Sequence, residues 1–123
     1  MKVYLPIQEK LIKDGELIKT SKEKEFDLDM SVAGQMRFEA KFPELAEKED
    51  LFGYSKRICA EKKVTGALIL SKMKMLYCWF DTELSFVEFL KMFDLSDLEY
   101  SDKLTERMHE IFKIVFNGSA EKN

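Results

Sequence analysis

A chain of 123 residues is the length of one domain, and 46% apolar residues with ten Phe exclude a disordered chain. A net charge of −3, with acids and bases intermixed, leaves no basic stripe for a nucleic-acid backbone. Two cysteines (Cys59 and Cys78), an N-terminus without the apolar core of a leader, and a longest apolar run (Val64 to Phe80) interrupted by Lys72 and Lys74 point to a reduced, cytoplasmic setting with no membrane span.

In chain order, Val3, Leu5 and Ile7 alternate with polar residues or Pro6, and Asp14-Gly15 is a two-residue turn signal. Residues 1–25 therefore read as a β-hairpin or extended arm, with one helical turn over Gln8–Lys13 as the alternative. Thr20–Glu25 is almost wholly polar and reads as a flexible connection.

Helical punctuation begins after Phe26. Asp29 and Ser31 are both N-cap candidates. Val32, Met36 and Ala40 share one face, and Phe38 and Phe42 are also helical neighbours. Pro43 stops this helix near Lys41 and opens a short turn of its own. Asp50 caps a helix with the stripe Leu51, Tyr54 and Ile58, running to about Lys62. Thr65 caps Gly66–Phe80, which is apolar nearly all round and reads as a buried hub. Ser85 to Glu88 and Ser96 to Glu99 are capping boxes. The first opens a short helix over 86–93. The second opens a longer helix with the stripe Leu104, Met108, Ile111, Phe112 and Val115, ended by Asn117-Gly118.

The expected fold is mainly α (α+β): a compact bundle of about five helices with an N-terminal β-hairpin or arm. The expected division is an arm at 1–25, a helical domain at 26–117 and a flexible tail at 118–123.

Candidate chemistry is sparse. His109 is the single histidine, and with two separated cysteines it cannot form a Cys/His metal cage. The five glycines are scattered, so no phosphate loop is present. No catalytic residue, metal site or cofactor is expected, and the chain is not expected to be an enzyme. Seven Met and ten Phe remain as an adaptable apolar inventory. Most fill the core, while Met30, Met36, Phe38, Phe42, Met92 and Phe93 are the candidates for a protein–protein contact.

The stretch Phe26 to Ser31, then Gln35-Met36-Arg37-Phe38-Glu39 and Phe42-Pro43, resembles the tail assembly chaperones of long-tailed phages and prophages of Gram-positive bacteria. Leu70 to Cys78 and Phe86 to Ser96 extend the resemblance, which covers roughly residues 26–117. It rests on apolar, aromatic and charged positions and carries no catalytic signature. It implies a helical, non-enzymatic chaperone in the bacterial host cytoplasm. Such a protein holds the tape-measure protein soluble, helps recruit tail-tube subunits and self-associates along its client. A small cytosolic adaptor or regulatory domain, binding a protein through the same apolar residues, is the alternative. Neither nucleic acid nor membrane is an expected partner.

Overall fold

The turn at Asp14-Gly15 sets the first element. Both residues sit at positive φ, 53° and 79°, the two-residue turn whose twist matches that of paired strands. Gly15 takes this conformation without a Cβ penalty, and Asp is among the residues that tolerate it. The turn joins β1 (Lys2–Lys13) to β2 (Glu16–Leu28). The computed structural model describes residues 1–63 and 65–121, with the backbone alone for Leu98 and for 118–121. Lys122 and Asn123, part of the tail expected at 118–123, lie outside the described residues.

The expected helical bundle with an appended arm is corrected. The protein is α+β, 53% helical and 23% strand, with a three-stranded antiparallel sheet in the order β1-β2-β3 and six helices among the described residues. The N-terminal hairpin is present as expected, but its second strand runs on to Leu28 and the hairpin contributes Val3, Leu5, Ile7, Phe26 and Leu28 to the core. Thr20–Glu25, expected as a connection, lies within β2. Its polarity reflects a strand exposed on both faces, since residues 16–23 are all exposed.

The chain divides into two compact units. The helical unit comprises Met1 and Asp27–Phe86. It holds α1 (Ala33–Lys41), α2 (Pro43–Ala46), α3 (Leu51–Ala60), α4 (Gly66–Trp79) and β3 (Phe80–Asp81). The Asp50 carboxylate accepts from Gly53 N–H at 2.6 Å, and Thr65 Oγ1 accepts from Leu68 N–H at 3.1 Å, so both expected caps are in place. A Cβ at position 53 would lie 2.9 Å from that Asp50 oxygen, which explains a glycine there. Helix α4 packs against α1 and α3 and buries Met73, Met75, Leu76, Tyr77, Cys78 and Trp79, the hub expected of it. Its last residue leads directly into β3, which pairs Asp81 with Asp27 and Phe80 with Leu28.

The second unit comprises Lys2–Phe26 and the residues from Val87 on. Helix α5 (Phe86–Leu90) places Phe89 edge-on to Phe26, at 5.7 Å between ring centroids. Helix α6 (Leu98–Glu121) packs along β1, and Leu104, Met108, Ile111, Phe112 and Val115 are all buried, as their spacing indicates. The cap of α6 falls one residue later than expected. Asp97 Oδ1 accepts from Tyr100 N–H at 3.3 Å, while the Ser96 hydroxyl donates to Asp94 at 2.6 Å. Nor does Asn117-Gly118 end the helix. One interior glycine costs about 1 kcal/mol, and α6 continues to Glu121. Among the described residues, no helix is long and apolar enough to cross a membrane.

Candidate protein-binding surface

Helix α1 carries apolar residues on two faces, and only one of them is turned inward. Gly34 and Phe38 are buried, with the Phe38 ring 5.5 Å from that of Tyr54. The other face, Val32, Met36 and Ala40 at four-residue spacing, is exposed. Val32 is 80% and Met36 66% accessible, and Met30, just before the helix, is 42% accessible.

Beside this stripe lies a cleft of about 280 Å³, lined by Met30, Val32, Gln35, Leu51, Phe52 and Trp79, with Ser31 and Asp50 at its polar margin. It is shallow and smaller than most small-molecule pockets, so it suits side chains offered by another protein. Polar contacts fix its walls. Gln35 Oε1 accepts from Leu51 N–H at 2.7 Å, tying α1 to the start of α3. Arg37 Nε donates to the Cys78 carbonyl at 2.9 Å and Nη1 to Asp29 Oδ2 at 3.2 Å. Asp29 N–H in turn donates to the Trp79 carbonyl at 2.8 Å. Hydrogen bonds from Ser31 and then the Arg37 guanidinium hold the Asp29 carboxyl below its usual range, so it stays charged and keeps Arg37 in place.

The other expected contact residues are dispersed. Phe38 is in the core of the helical unit. Phe42 is half-buried, edge-on to Phe86 at 5.1 Å and beneath Lys74. Met92 and Phe93 belong to the other unit and are half-buried, Phe93 stacking edge-on to Phe89 at 5.0 Å. Met30 and Met36 are thus the pair that shares one surface. Val32 and Phe52 join it without having been singled out. The signal for Val32 was its place in the Met36 stripe, which sequence alone cannot orient inward or outward.

Reactive groups are muted. Burial pushes the Cys78 thiol up to about 12 and raises that of Cys59, so both stay protonated at neutral pH, and neither resembles an activated nucleophile. His109 lies on α6 in a shallow concavity with Glu106, Glu110 and Lys113. Among the described residues, no group of three or more His, Cys, Asp or Glu is placed to hold a metal ion.

Comparison with protein-family models, curated proteins and solved structures finds no match to this chain.

Proposed function

We propose that this chain is a protein-binding chaperone of phage tail assembly. It works in the bacterial host cytoplasm, where it holds the tape-measure protein soluble and helps recruit tail-tube subunits. The observation that supports this reading is the outward stripe Val32, Met36 and Ala40 beside the cleft at Met30, Phe52 and Trp79. An amphipathic client helix fits such a surface by laying its own apolar side chains into it. Methionine suits a client that presents many successive, non-identical turns, because its unbranched thioether chain repacks at little cost. Release is part of the task, and a shallow cleft with a short apolar stripe gives a contact that tube subunits can replace.

Co-expression tests the reading. A tape-measure fragment that precipitates alone should remain soluble when made with this chain. The double substitution Val32→Asp with Met36→Asp should abolish that effect while leaving the helical circular-dichroism signal intact. Precipitation of the fragment with or without the chain would sink the proposal. Capture of one unrelated protein at one-to-one stoichiometry, with no effect on the fragment, would favour an adaptor.

A further inference from the structure

The distal end of the hairpin is apolar on both faces. Leu11 is 61%, Ile12 75%, Leu17 57% and Ile18 37% accessible. The two-residue turn places Leu11 opposite Ile18 on one face and Ile12 opposite Leu17 on the other. Met1 and Leu28, which exchange backbone hydrogen bonds at 2.7 and 3.2 Å, hold the same register at the far end of the ladder, and Tyr4 Oη reaching Glu25 at 3.3 Å agrees with it. Backbone groups of alternate residues point toward β2, and those between point away. The even-numbered residues of β1 point away, and near the base they are covered. Tyr4 O accepts from Arg107, Pro6 O accepts from Tyr100, and Gln8 N–H donates to Met92 O. Beyond Gln8 that cover ends among the described residues. The edge from Glu9 to Lys13 is exposed: it carries the charges Glu9, Lys10 and Lys13, of the kind that guard strand edges, with Lys10 Nζ held by Asp94 at 3.1 Å, but the aliphatic Leu11 and Ile12 stand exposed between them.

We propose that this edge is the contact between two copies of the chain, which pair β1 to β1 antiparallel about a two-fold axis at Leu11. Charge selects the register. Pairing centred on Lys10 would set Lys10 against Lys10, a like-charge pair directly opposite. Pairing centred on Ile12 would place Leu11 opposite Lys13 and carry the turn into the ladder. Pairing centred on Leu11 sets Leu11 against Leu11 and Glu9 against Lys13 at both ends. Lys10 of one copy then exchanges both backbone hydrogen bonds with Ile12 of the second copy, and the reverse. On one face the row Ile18, Leu11, Leu11, Ile18 crosses the joined strands without a break. On the other, each Ile12 and Leu17 meets the aliphatic stem of Lys10 from the second copy. Glu9 already holds Lys22 at 2.7 Å, so Lys13 of the second copy completes a charge row and leaves no carboxylate unbalanced. The surface maps onto itself, as a closed two-fold contact requires. It supplies a specific surface for the self-association that the chaperone reading calls for, yet it is argued from the hairpin alone.

The test uses the purified chain without a client, so its outcome is separate from that of the co-expression assay. Sedimentation equilibrium should show the mass rising with concentration from 14.5 kDa toward twice that value. Glu9→Lys or Lys13→Glu alone should weaken the dimer about tenfold, because each turns attractive pairs at both ends into repulsive ones. Glu9→Lys combined with Lys13→Glu should restore it. In a Cys59→Ser background, Leu11→Cys should cross-link across the two-fold under mild oxidation and Ile12→Cys should not. A chain that stays monomeric at all concentrations, a double swap that fails to restore the dimer, or equal cross-linking at positions 11 and 12 would overturn the proposal.

Discussion

The phenol of Tyr100 donates to the Pro6 carbonyl at 2.8 Å, a buried bond that fixes the first turn of α6 on β1. Two turns on, Arg107 reaches the same strand, donating to the Tyr4 carbonyl at 3.0 Å and holding both carboxylate oxygens of Glu23. The two ties differ in worth because one is dry and the other wet. Tyr100→Phe leaves a buried carbonyl unsatisfied and should cost about 1–2 kcal/mol. The Arg107–Glu23 pair is substantially solvent-accessible, so Glu23→Gln should cost only ~0–1 kcal/mol. Urea unfolding of both variants gives the ranking, and a larger loss for Glu23→Gln would contradict it.

Ser55 is fully buried and serves two partners. Its hydroxyl donates to the Leu51 carbonyl at 2.7 Å and accepts from the Trp79 indole N–H at 3.0 Å. Ser55→Ala strands the indole proton and should lower stability by about 1–3 kcal/mol. Ser55→Thr, which keeps the acceptor, should fare better if the added methyl finds room. Chemical denaturation monitored by helical signal distinguishes the two.

Leu76 lies at the centre of α4 with no exposed surface. Leu76→Ala should cost about 2–5 kcal/mol through lost burial and an unfilled cavity. An unchanged thermal melt would place the core of the helical unit elsewhere.

Alkaline pH should destabilise the fold. The Cys78 thiol moves from an ordinary 9.0 up to about 12 because burial disfavours the thiolate. Burial likewise raises the phenols of Tyr54 and Tyr100. In each case the folded chain keeps a proton that the unfolded chain releases. The stabilisation is therefore complete below the unfolded value and is lost as pH climbs through the folded one. For Cys78 that window runs from 9 to about 12, with a slope of at most ~1.4 kcal/mol per pH unit. Melting temperatures across this range should fall less steeply in Cys78→Ala. An identical slope would show that the thiol is not the group responsible.

Much of the helical unit was legible because its punctuation is local. Asp50 and Thr65 stand where caps are needed, and each side chain bonds its own helix within three residues. The sheet was less legible for a physical reason. Strand patterns announce themselves through one buried face, and the distal part of β2 has none, so the polar stretch Thr20–Glu23 carries the composition of a linker while lying within the strand. β3 is hidden differently: Phe80 looks like one more apolar residue of α4, and its pairing with Leu28 is set by a strand far away in sequence. The surface was half legible. Sequence separates the two apolar faces of α1 but cannot choose between them. The choice is made by the packing of Phe38 against Tyr54, which leaves Val32 and Met36 outside.

Trp79 is the single tryptophan of the chain; it is among the residues that line the cleft, is 7% exposed, and has its N–H engaged by the buried Ser55. Nearly all of the near-ultraviolet emission at long wavelength therefore originates just beneath the surface proposed for the client. Already shielded from acrylamide, the indole should register a client seated on the cleft through a shift in emission colour. Occupancy can be titrated by light alone, with no label attached and no residue altered.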